Sequence, residues 1–114
     1  MTDLPQEFAV SIVQVDGHSN VRVTGEIDLA TATELRQRLN SVIAAGDVDL
    51  DLADVTFLDS SGLVALLAAR QALHDNHHRL TVRHPSKHVL RVFELSGALD
   101  VMMDGQQPTG DSVA

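Results

Sequence analysis

The sequence predicts an α/β domain whose sheet is mixed and mostly parallel, with an N-terminal hairpin and helices packed against it. Three observations carry this. A chain of 114 residues with 44% hydrophobic content suits one domain with one core. Short runs of period-two apolar alternation recur along it. After the first two, the runs are separated by helix-period segments of crossover length, as parallel pairing requires.

Phe8, Val10 and Ile12 alternate with Ala9, Ser11 and Val13, and a second alternation runs through Val21 and Val23 to Gly25. The turn-forming Asp16-Gly17-His18-Ser19-Asn20 between them marks a β-hairpin. Thr31 stands three residues before Glu34, a capping-box spacing, and Leu35, Leu39, Val42 and Ile43 form a helical stripe ending near Gly46. Val48, Leu50 and Leu52 alternate with Asp49 and Asp51, giving a strand with one buried and one polar face. Asp54-Val55-Thr56 reads as the connection onward. From Gly62 to about Asp75 the chain is rich in Leu and Ala on nearly every side, so this helix is central to the core. Leu80 to Val82 reads as a strand, and Pro85-Ser86 opens a helix carrying Val89, Val92 and Phe93, with Gly97 after its end. Leu99, Val101 and Met102 suit a last edge strand, so four to five strands are expected. The expected organisation is an extension over 1–7, a domain over 8–104 and a mobile tail over 105–114, where Gly, Pro, Gln and Ser leave little to bury.

Composition narrows the function. A net charge of -8, from 16 acids against 8 bases, repels polyanions and argues against direct nucleic-acid binding. With no cysteine there is neither a disulfide framework nor a thiolate nucleophile. The N-terminus is polar and acidic rather than basic and then apolar, and no apolar run reaches spanning length, so a soluble, cytoplasmic protein is expected. No Gly-x-Ser-x-Gly elbow, Walker-type loop or Cys-His pair is present, and no enzymatic activity, cofactor or metal is expected. His74, His77 and His78 fall at i, i+3 and i+4 but lack a further ligand at a recognisable spacing; partly protonated imidazoles at a helix C-terminus account for them.

The most informative stretch is Phe57-Leu58-Asp59-Ser60-Ser61-Gly62-Leu63, where an apolar run stops at an acid and two hydroxyls and a long aliphatic run begins. A hydroxyl at a helix start is placed to accept a phosphate, and Gly62 would let a partner's backbone approach. Ser and Asp are also ordinary N-caps, so the same residues have a purely structural reading. Glu26-Ile27-Asp28 after the second strand occupies a comparable position, and functional residues of open α/β sheets gather beyond the carboxyl ends of strands. Acids there also complement a helix dipole.

Three ordered blocks resemble the STAS domain, specifically its anti-sigma factor antagonists: Thr24-Gly25-Glu26-Ile27-Asp28 with Thr31-Ala32 and Glu34-Leu35, then Val55 to Leu63, then Val92-Phe93-Glu94-Leu95-Ser96-Gly97. With their spacing they cover most of residues 8 to 104. The resemblance implies a regulator that binds an anti-sigma factor, itself a serine kinase related in fold to histidine kinases, and so frees a sigma factor. The kinase phosphorylates a serine of the antagonist, and a metal-dependent phosphatase reverses this. By motif match the acceptor is Ser60, directly after the acid, with Ser61 the competitor; whichever hydroxyl caps the helix leaves the other more accessible. The implied partner-binding residues are Glu26, Asp28, Asp59, Ser60, Ser61 and Gly62. An alternative job on the same fold is an adaptor in a transporter or signalling assembly, unphosphorylated. A receiver-like domain using Asp59 fails because its acidic pair and its lysine after the last strand are missing.

Overall fold

The computed structural model describes residues 7–103, so most of the expected N-terminal extension and all of the expected tail lie outside the described residues. The elements run β1 (Ala9–Val15), β2 (His18–Ile27), α1 (Leu29–Asn40), β3 (Val48–Leu58), α2 (Ser60–Asp75), β4 (Leu80–Arg83), α3 (Lys87–Ser96) and α4 (Leu99–Met103). The strands form one four-stranded sheet in the order β1-β2-β3-β4. The first pair is antiparallel and the other two are parallel.

The hairpin closes on Asp16 and Gly17, both left-handed with φ of 54° and 81°, between the paired Val15 and His18. Two consecutive residues of positive φ are what a tight hairpin turn needs to match strand twist, and Gly adopts the second at little cost. Along β2, Val21, Val23 and Ile27 are buried while Asn20, Arg22 and Glu26 face solvent. Val48, Leu50 and Leu52 of β3 and Leu80 and Val82 of β4 extend that buried face, which joins one core cluster with Leu35 and Leu39 of α1, Leu66 and Leu73 of α2, Val89 and Phe93 of α3, and Met102 of α4. The opposite face carries the charged side chains of β2 to β4, alongside exposed Val13 and Val15 of β1. There Arg22 pairs with Asp54, which raises the guanidinium pKa, and Arg83 and His18 both approach Asp49.

Three elements differ from the sequence reading. Asp54-Val55-Thr56 is not a connection but part of β3, which runs unbroken to Leu58. Alternation stops at Leu52 because the register with β2 shifts twice, between Arg22 and Thr24 and between Gly25 and Glu26, each time adding a residue to β3. The buried positions therefore fall at Leu50, Leu52, Val55 and Leu58, a spacing that a period-two template misses. Helix α1 ends at Asn40 rather than near Gly46. Val42 and Ile43 stay buried because short turns continue the chain, with Val42 N–H donating to the Leu39 carbonyl at 3.0 Å and Ala45 N–H to that of Val42 at 3.1 Å.

The third is the expected edge strand at Leu99 to Met102, which is the helix α4, and the sheet has four strands. Gly97 ends α3 with a left-handed φ of 79°, and Ala98 N–H reaches back to the Phe93 carbonyl at 2.9 Å. Met102 N–H then donates to the Ala98 carbonyl at 2.9 Å, so Ala98 and Met102 bury one helical face while Val101 stays exposed. The apolar spacing of this segment is helical because its partner is the core beneath α3, not a sheet edge.

Candidate functional site

Strands β2 and β3 end side by side, with Ile27 paired to Leu58. Each is followed by an aspartate in extended conformation that caps a helix. Asp28 Oδ1 accepts from Thr31 N–H at 3.0 Å, and Thr31 Oγ1 accepts in return from Asp28 N–H at 2.9 Å. Thr31 Oγ1 also donates to the Glu26 carbonyl at 2.9 Å. The capping box is thus Asp28 with Thr31, and Thr31 is its third helical residue rather than the cap expected to pair with Glu34. A cap of this kind is worth about 1 kcal/mol.

At the second junction Asp59 Oδ1 accepts from Gly62 N–H at 3.0 Å. Asp59 N–H donates to the Ile27 carbonyl at 3.1 Å, which ties the start of α2 to the end of β2. The expectation that one of the two serines caps the helix is therefore corrected: the cap is Asp59, and Ser60 and Ser61 both lie inside the first turn. A carboxylate spans from the cap to the third residue, leaving neither hydroxyl engaged as a cap acceptor. Ser60 is exposed and Ser61 half-buried.

Gly62 is also corrected in role. It is buried, and a Cβ there would lie 2.5 Å from Leu58 Cδ1 and 2.6 Å from Ile27 Cγ2. The absent side chain lets α2 start directly against the two strand ends; it does not present backbone to a partner. Glu26 is exposed on β2 opposite Phe57, itself 46% exposed, and Asp28 and Asp59 are partly buried. Asp28, Asp59, Ser60 and Ser61 thus share the surface of the two adjacent junctions, whereas Glu26 lies on the opposite sheet face with Arg22 and Gly62 is buried behind the start of α2.

That surface continues into an open groove of about 330 Å³ between α1 and α2, lined by Leu29, Ala32, Thr33, Arg36, Ser60, Ser61 and Val64. Leu29 is 76% exposed and Val64 57%. Sequence reasoning missed Leu29, Arg36 and Val64. A signal for the first two was present: positions 29, 32 or 33 and 36 make a helical stripe of their own, off the core stripe of Leu35 and Leu39. Among the described residues, no group of three or more His, Cys, Asp or Glu side chains is arranged to hold a metal ion, and no helix is long and apolar enough to cross a membrane. His78 instead approaches Asp47 at 3.9 Å.

The family model described as "Mlab, STAS domain" matches residues 10–103. An anti-sigma-B factor antagonist of Staphylococcus epidermidis is 32% identical over 95 residues, 82% of this chain and 88% of the relative. The crystal structure of an anti-sigma factor antagonist from Mycobacterium paratuberculosis superposes with a TM-score of 0.69 at 31% identity, covering 84% of this chain and 83% of that one. The phosphorylated form of the Bacillus cell fate determinant SpoIIAA shares the fold at a TM-score of 0.66 and 23% identity, over 94% of this chain and 92% of that one. Sequence and fold agree with the three motif blocks: this chain belongs to the STAS domain family, among the anti-sigma factor antagonists.

Proposed function

We propose that this protein binds an anti-sigma factor through the surface at the starts of α1 and α2, and that phosphorylation of Ser60 switches the binding off. The observation that carries the reading is an exposed Ser60, held by the Asp59 cap on the first turn of the core helix, at the rim of a groove with exposed Leu29 and Val64. Apolar side chains this exposed beside a fixed polar site are what a protein partner buries. Between the two serines, exposure favours Ser60, since a kinase must reach the oxygen.

In the transfer step Ser60 Oγ bonds to the γ-phosphorus of ATP as the bond to the β-phosphate oxygen breaks. ADP leaves, and the hydroxyl proton passes to a base of the kinase. The ester carries about 1.5 to 2 negative charges beside Asp59, next to Asp28, and opposes any packed or acidic partner surface. A metal-dependent phosphatase returns the hydroxyl by adding water across the ester. These reactions belong to the cytoplasm, where sigma factors act.

Incubation with a cognate kinase and ATP followed by phosphopeptide mapping tests the acceptor, and partner capture with wild type against Ser60→Asp tests the switch. Modification at Ser61 alone would overturn the assignment. Stable partner binding without mass gain under turnover conditions would replace it with the unphosphorylated adaptor.

A further inference from the structure

We propose that Arg36 is the phosphate-binding residue of this switch: when Ser60 carries a phosphate, the Arg36 guanidinium pairs with it across the groove between α1 and α2. The inference rests on the reading of Ser60 as acceptor. Leu29, Thr33 and Arg36 recur every three to four residues and turn one stripe of α1 toward the groove, while Ser60, Ser61 and Val64 supply the facing stripe of α2. Arg36 is the cation of that lining.

Its guanidinium is also uncommitted. Among the described residues, Arg22 and Arg83 are held by Asp54 and Asp49, whereas Arg36 is exposed and enters no ion pair or side-chain hydrogen bond. The carboxylates nearby are committed elsewhere, Asp28 to the backbone of Thr31 and Asp59 to that of Gly62. A phosphate on Ser60 would thus enter a neighbourhood of two carboxylates, on a chain of net charge -8, with Arg36 the cation that the described groove lining turns toward it. A guanidinium fork matches phosphate oxygens bidentately, and its aliphatic stem is long enough to cross a groove between adjacent helices. Pairing would also draw Arg36 over Leu29 and Val64, so phosphorylation would cover the apolar rim as well as charge it.

The test encodes phosphoserine genetically at position 60 and follows its second ionisation by ³¹P NMR in wild type, Arg36→Lys and Arg36→Gln. The expected result is a proton affinity roughly three- to tenfold lower in wild type than in Arg36→Gln, with Arg36→Lys between them. Phosphoserine encoded at exposed Ser41 should titrate alike in all three backgrounds. Equal titration at position 60 in wild type and Arg36→Gln overturns the proposal. Because the phosphate is placed without a kinase, that failure is distinct from failure of the acceptor assignment, which phosphopeptide mapping reads separately.

Discussion

The backbone N–H of Asp59 donates to the Ile27 carbonyl at 3.1 Å, so the residue that caps α2 is hydrogen-bonded to the strand whose end launches α1. Through this contact the Asp28 and Asp59 junctions share one scaffold, and Ser60 holds a fixed position relative to the stripe of α1 bearing Leu29 and Arg36.

Removing the cap should loosen that position. Asp59→Ala leaves Gly62 N–H without its side-chain acceptor and should cost about 1 kcal/mol of stability, with Asp59→Asn costing less. Urea denaturation measures the difference. An unchanged midpoint in Asp59→Ala would show that water satisfies the donor equally well.

Gly62→Ala tests the close approach behind the site. Alanine is the better helix former by about 1 kcal/mol, but its Cβ would meet Leu58 Cδ1 at 2.5 Å and Ile27 Cγ2 at 2.6 Å, both on buried side chains. Overpacking of this kind typically costs about 1–3 kcal/mol. We expect net destabilisation in thermal unfolding; a raised Tm would mean that the strand ends give way freely.

Leu29→Ser with Val64→Ser separates binding from folding. Both side chains are largely exposed, so stability should stay within about 0.5 kcal/mol of wild type. Affinity for the anti-sigma factor should fall by at least roughly tenfold, since burying one such side chain is worth about 1.5–3 kcal/mol. Titration calorimetry reads this directly, and unchanged affinity would move the interface off the groove.

Asp28→Asn addresses a residue with two duties. The amide oxygen can still accept from Thr31 N–H, so stability should change little, whereas loss of the carboxylate should alter partner affinity or phosphorylation rate. If both rates and affinities match wild type, Asp28 is a cap alone.

Phe93→Ala should be the most damaging of these changes, at about 3–5 kcal/mol, because the ring is fully buried where α3 joins the common core. Loss of cooperative unfolding would be the signature.

Much of this was legible in the chain. The hairpin follows from alternation either side of Asp16-Gly17, α2 from an unbroken Leu and Ala run, and α3 from Ser86 before it and Gly97 after it. Misreadings arose where a long-range partner alters a local period. Two bulges against β2 moved the buried positions of β3 out of alternation. The core beneath α3 took Ala98 and Met102 as a helical pair where an edge strand was expected. Leu29 and Arg36 lie on an α1 stripe separate from the core stripe, and Val64 sits inside an apolar run, so a pattern that marks only the core does not single them out.

By itself, then, the sequence determined the α/β alternation, the family and the chemistry available at Asp59-Ser60-Ser61, because periodicity and side-chain type are local properties. Only the tertiary structure decided that Asp59 rather than either serine caps α2, that Gly62 faces inward, and that Arg36 shares a groove with Ser60. Those outcomes depend on how closely two strand ends and two helix starts approach, and that distance is set by packing across the whole sheet.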